Sequence, residues 1–232
     1  LEMGSKNALV VLDDADLDTA VQCAVAGAYF GTGQKCTASS RIIVQSGIHD
    51  RFVEKMTEAV SNLVVGHALA EGVQIGPVVD GRQLQQNLDY MQIAKDEGAE
   101  LVLGGQAMTM DTEGFYMSPA LFVNTNNQMR INREEVFGPV LSILKYETEE
   151  EAIAIANDTP YGLTNYVQCG DQEQRQRVAR QLRSGMVETN SVGFGMGSPF
   201  GGYKQSGNGR EGGIFGLHEF MEIKAVSCWE DA

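Results

Sequence analysis

Apolar positions along this chain recur in two rhythms. After Asp14-Ala15-Asp16, the residues Leu17, Ala20, Val21, Ala24, Val25 and Ala28 return every three or four positions until Gly31, which predicts a helix over 18–30. The short β-branched run Arg41-Ile42-Ile43-Val44 predicts a strand. From Asp50, a second helical stripe carries Phe52, Val53, Met56, Val60 and Leu63. A third runs through Leu84, Leu88, Met91, Ile93 and Ala94 to Gly98, and a strand at 100–103 closes on Gly104-Gly105. Strands follow at 120–123, 140–144, 163–169 and 186–189, separated in the second half by helices at 149–157 and 172–183. A brief helical stretch at 215–220 leads into 221–227, which reads as a terminal strand. Helical stripes alternating with short apolar strands predict an α/β fold, a mostly parallel sheet covered by helices.

Charge narrows the partners. Among 232 residues, 17 Lys and Arg stand against 31 Asp and Glu, a formal charge of −14. Such a surface repels a nucleic-acid backbone or an anionic membrane, so small molecules and proteins are the expected partners. No basic leader precedes an apolar stretch, and runs such as Val10-Val11-Leu12 are far too short for a bilayer, which reads as a cytoplasmic protein. Cys23, Cys36, Cys169 and Cys228 lie far apart, with no C-x-x-C pair or histidine clamp for zinc, and read as reduced thiols.

Cys36 stands out by its surroundings, GTGQKCTASSR. Gly31 and Gly33 let the backbone approach a ligand, Lys35 beside the thiol favours the attacking thiolate, and the N–H groups of Cys36 and Thr37 could face an oxyanion. The residue reads either as a nucleophile or as a small side chain where a loop meets the core. A cysteine hydrolase would pair it with histidine, but His49, His67 and His218 all sit in surface-like contexts. Glu2, ahead of a flexible turn, is a candidate to activate water. From Asn190 the chain turns glycine-rich through 190–210, a loop too poor in side-chain bulk to form core.

Four segments, LEMGSKN, FGTGQKCTASSR, EEVFGPV and PFGGYKQSGNGRE, occur in an order and at spacings that resemble the NAD(P)-dependent aldehyde dehydrogenases, across essentially the whole chain. The first 150 residues look most like members that oxidise 2-oxoglutarate semialdehyde. The resemblance implies a catalytic domain over 1–206 and a return segment and oligomerisation arm over 207–232, with a homo-oligomer formed through the terminal strand. It implies that Cys36 attacks an aldehyde to give a thiohemiacetal and then a thioester, and that Glu2 activates the hydrolytic water. It further implies that Glu135 binds a ribose hydroxyl of NAD or NADP with Phe137 beside the nicotinamide, and that Lys35, Thr37, Phe194 and Phe200 line the substrate tunnel. Asn190 would shape its loop, and Tyr203-Lys204 with Arg210-Glu211 would make a domain or subunit contact.

Two departures qualify the expectation. The family's Rossmann-like cofactor half and oxyanion-hole asparagine precede the glutamate motif, where this chain has one residue, so a unit that folds and self-associates with esterase-like or no dehydrogenase activity is the alternative. Ser5 stands where the family usually has a second glycine, and would be strained if that position needs positive φ.

Overall fold

The computed structural model describes residues 3–228. A seven-stranded sheet is built from β1 (Asn7–Val11), β2 (Ser39–Gln45), β3 (Glu100–Leu103), β6 (Ala120–Val123), β7 (Val140–Tyr146), β8 (Thr164–Gln168) and β9 (Met186–Thr189), in the order β3-β6-β7-β2-β1-β8-β9. Every neighbouring pair is parallel except β3–β6. A hairpin of β4 (Ala107–Met108) and β5 (Tyr116–Met117) stands apart. Helices α1 (Leu17–Tyr29), α2 (Ser46–Ser61), α3 (Gly81–Asp96), α4 (Arg130–Arg133), α5 (Glu149–Asn157), α6 (Gln172–Gln181) and α7 (Gly213–His218) complete the order. No helix is long and apolar enough to cross a membrane among the described residues.

The strand that the apolar rhythm missed lies at the heart of the sheet. All five residues of β1 are buried because both faces are covered: Leu9 and Val11 pack with Ala24, Ala28, Phe52 and Met56 of α1 and α2, while Ala8 and Val10 pack with Ala152, Ala156, Val178 and Leu182 around α5 and α6. A strand covered on both faces carries no alternation, so its sequence is a plain apolar run. Helix α2 begins at Ser46 rather than Asp50, since Ile48 extends the stripe of Phe52, Met56 and Val60 back by a turn. A third apolar cluster joins α3 to the sheet edge, where Met91, Ala94, Phe122, Ile131, Val136 and Val140 meet.

The terminal strand is corrected. Residues 221–228 form no strand, and Phe220 and Ile223 are almost wholly exposed. Apolar alternation gives a strand only where a neighbouring edge takes up its N–H and C=O groups, and neither β3 nor β9, the two edges of the sheet, pairs with this segment.

Candidate active site

Three successive left-handed residues shape the loop that carries Cys36. Gly31, Thr32 and Gly33 have φ of 69°, 61° and 65°, and the chain turns sharply out of α1 toward β2. Gly33 passes so close to the turn before β7 that a Cβ would lie 2.1 Å from the Gly138 carbonyl oxygen. The following turn carries Cys36 and is closed by Ala38 N–H donating to the Lys35 carbonyl at 3.0 Å. Its three consecutive carbonyls are all held by side chains. The Asn7 amide donates to Cys36 O at 2.8 Å and to Ala38 O at 2.9 Å, and the Tyr166 hydroxyl donates to Thr37 O at 2.7 Å.

The second part is the turn that enters β7. Ser5 N–H donates to Glu135 Oε1 at 3.0 Å, and Gly4, at φ 75°, lies so close that a Cβ would sit 2.2 Å from Glu135 Oε2. The Gly4 carbonyl is anchored by the Ser206 hydroxyl at 2.8 Å. Gln83 and Gln86, on one face of α3, both donate to the Val136 carbonyl, at 3.0 and 3.1 Å. Held in this way, Phe137 adopts φ 58° and is 37% exposed. An aromatic residue in that region costs on the order of 1–3 kcal/mol, a strain typical of ligand-binding turns.

These two turns meet in one cleft. Lys35, Cys36, Glu135 and Phe137 line it together with Ser5, Gly33 and Gly138. The Lys35 ammonium reaches back to the Ala26 carbonyl at 3.4 Å. The cleft lies where β1, β2 and β7 begin, so it occupies the amino ends of the parallel strands. Open α/β sheets usually bind ligands at the carboxyl ends; here the turns before β2 and β7 approach each other and make the cavity instead. Behind it lie two buried cations. Lys6 is 2% exposed, and burial, reinforced by the Arg41 charge, pushes its pKa down to about 7 against the opposing pull of Glu135 and Glu134. Arg41 is fully buried and donates to the carbonyls of Lys6, Ile155 and Ala156 and to Asn127 Oδ1.

The sequence profile of the aldehyde dehydrogenase family matches residues 1–226. The chain belongs to this family. A curated relative from Staphylococcus saprophyticus is 43% identical over 228 residues, which is 98% of this chain and 48% of the relative. Among solved structures, an aldehyde dehydrogenase from Bartonella henselae shares 45% identity at a TM-score of 0.94, over 99% of this chain and 48% of that one. The betaine aldehyde dehydrogenase of Staphylococcus aureus, solved in complex with NAD+, shares 38% identity at a TM-score of 0.93, over 100% of this chain and 48% of that one. The chain therefore spans about half the length of the relatives it matches.

Within this aldehyde dehydrogenase chain, the structure gathers Cys36, Lys35, Glu135 and Phe137, and Thr37 adjoins them in the loop. Two residues lie elsewhere: Phe200 lines a separate cleft with Arg210, Glu211 and Phe220, and Phe194 stands half-exposed in the glycine-rich segment. Glu2 lies outside the described residues. Ser5 escapes the strain raised for it, since the left-handed residue of that segment is Gly4. Asn190, at φ 48°, exchanges both amide bonds with the backbone of Cys169 and so shapes its loop. His49 is corrected from surface to buried: it lies on α2 with Nδ1 2.8 Å from Asp50 Oδ1, and no histidine lines the Cys36 cleft. Sequence reasoning passed over Asn7, Tyr166, Gln83, Gln86 and Ser206. Of these, Asn7 had a readable signal, a lone amide opening a fully apolar run.

Proposed function

We propose that this chain carries the nucleophile and the nicotinamide-side contacts of an NAD(P)-dependent aldehyde dehydrogenase, with a catalytic domain over 1–206 and an association segment over 207–232. The observation that carries the reading is the convergence of Cys36 with Glu135 and Phe137 in one cleft between two braced turns. A carboxylate is an acceptor-only group suited to a sugar hydroxyl, and Gly4 removes the side chain that would fill the space against it. The flat, partly exposed ring of Phe137 offers an apolar contact next to that carboxylate. These residues fit a bound NAD or NADP, with Glu135 and Phe137 holding its nicotinamide end. When bound, the dinucleotide supplies the hydride acceptor.

The protein's own part is covalent. The Cys36 thiolate adds to the aldehyde carbon to form a thiohemiacetal; loss of hydride from that carbon leaves a thioester. Water activated by Glu2 then adds to the thioester, the carboxylic acid departs and the thiolate is restored. Lys35, which lines the Cys36 cleft, and Thr37, which adjoins it in the loop, are assigned to the aldehyde's path, while Phe194 and Phe200 lie outside that cleft. Cys23, Cys169 and Cys228 are free thiols, in keeping with a cytoplasmic setting.

The alternative, a folded unit that self-associates with esterase-like or no dehydrogenase activity, draws on the exposed apolar residues Ile214, Phe215, Leu217, Phe220 and Ile223, which suit a homo-oligomer. Two assays separate the readings. An aldehyde with NAD or NADP is followed by nicotinamide absorbance, and nitrophenyl ester hydrolysis tests Cys36 without cofactor. Both signals are expected to vanish in Cys36→Ala, and ester cleavage that survives it would remove Cys36 from the mechanism. Ester cleavage with no nicotinamide reduction would favour the alternative.

A further inference from the structure

Asn7 sits between the two turns with every hydrogen-bonding valence used. Its Oδ1 accepts from Thr164 N–H at 3.1 Å and from the Ser5 hydroxyl in a short bond. The Thr164 N–H can only donate, so this edge of the amide is the oxygen and the Ser5 hydroxyl turns to donate to it. The amide nitrogen must then face the loop, where it has two hydrogens and meets two carbonyls, Cys36 O and Ala38 O. At 2% exposure no solvent competes for these bonds. Ser5 does double duty, since its N–H holds Glu135 while its hydroxyl donates to Asn7 Oδ1. An unbroken chain of contacts therefore runs from Glu135 through Ser5 and Asn7 to the backbone of Cys36. A glycine at position 5 would keep the first link and lose the second.

We propose that Asn7 is a positioning residue that fixes the backbone of the nucleophile loop, with Thr164 N–H setting the direction of its amide, the Ser5 hydroxyl bracing it and Tyr166 holding the carbonyl between its two bonds. This rests on the reading of Cys36 as nucleophile. A displaced loop misaligns attack without altering the walls that bind substrate, so the loss falls on kcat rather than KM. Replacing the amide by a carboxylate, as in Asn7→Asp, would aim oxygen at the two loop carbonyls and is the more damaging change.

The test uses the whole chain and its Asn7→Ala, Tyr166→Phe and Ser5→Gly variants, with Cys36→Ala as reference. Ester hydrolysis gives kcat and KM; hydrogen exchange of peptides covering 33–40 reports loop order; labelling of buried Cys169 reports global opening. For Asn7→Ala the expected result is a fall in kcat of about tenfold to a hundredfold with KM within about twofold. Exchange should quicken in 33–40 while Cys169 stays protected. Wild-type kcat and wild-type exchange in that variant would overturn the proposal. If Asn7→Ala opens the whole protein, Tyr166→Phe, which removes a single hydroxyl, and Ser5→Gly, which removes the hydroxymethyl side chain, decide; both are expected to quicken loop exchange, and unchanged exchange in both overturns the proposal. If Cys36→Ala still cleaves ester, the nucleophile reading fails by itself, and exchange continues to decide whether Asn7 holds the loop.

Discussion

Replacing Lys6 by methionine should change how stability depends on pH. Lys6 is 2% exposed, and its pKa falls from 10.5 to about 7 because burial and the neighbouring Arg41 disfavour its charge more than Glu135 and Glu134 support it. Between those values the unfolded chain holds a proton that the folded chain has released, so stability rises with pH. Below 7 both states are protonated and the term is constant, with the folded state bearing the full cost of a buried ammonium. Integrated from pH 7 to pH 9, the gain is about 2 kcal/mol. The window closes near pH 9, where Cys169, raised by burial to about 12, and Cys23, raised for the same reason, begin to act with the opposite sign. Lys204, lowered by burial, works in the same direction as Lys6 and persists in the variant. Denaturant unfolding of wild type and Lys6→Met at pH 6, 7, 8 and 9 measures the difference. Wild type should gain stability across the upper interval, and Lys6→Met should lose most of that slope and be the more stable protein at pH 6. Equal slopes in the two proteins, or a wild type whose stability falls from pH 7 to 9, would refute the reasoning.

Three substitutions probe the braced turns. Gly4→Ala places a methyl 2.2 Å from Glu135 Oε2 at φ 75°; it should weaken binding of NAD, read by titration calorimetry, by about tenfold or more while leaving cofactor-independent ester cleavage nearer to wild type. In Gly33→Ala the new carbon would meet backbone, the Gly138 carbonyl, which has little room to yield, and a loss of about 3 kcal/mol or more in denaturant unfolding is expected. Phe137→Gly relieves a left-handed aromatic residue that is already 37% exposed; stability should change by less than about 1 kcal/mol, while on the proposed function the affinity for NAD falls.

The sequence by itself determined the α/β layering, because helical stripes and apolar runs follow from residue spacing alone, and it marked Cys36, Glu135 and Phe137 through their motifs. It missed β1, whose run Ala8-Leu9-Val10-Val11 is apolar on both faces and so carries no period to read. It gave 221–227 a strand that the structure lacks, since alternation records a preference while a strand also needs an edge to pair with. Only the tertiary structure decided that the site opens at the amino ends of the strands, because that depends on how the turns before β2 and β7 approach, through contacts such as Gly33 against Gly138. It alone decided the braces as well. Asn7 and Cys36 are 29 residues apart, and Ser5 and Glu135 are 130 apart. Their hydrogen bonds exist only once parallel pairing has set β1 beside β2 and carried the β7 turn over the start of the chain. No local pattern encodes a bond whose two ends are joined by the fold.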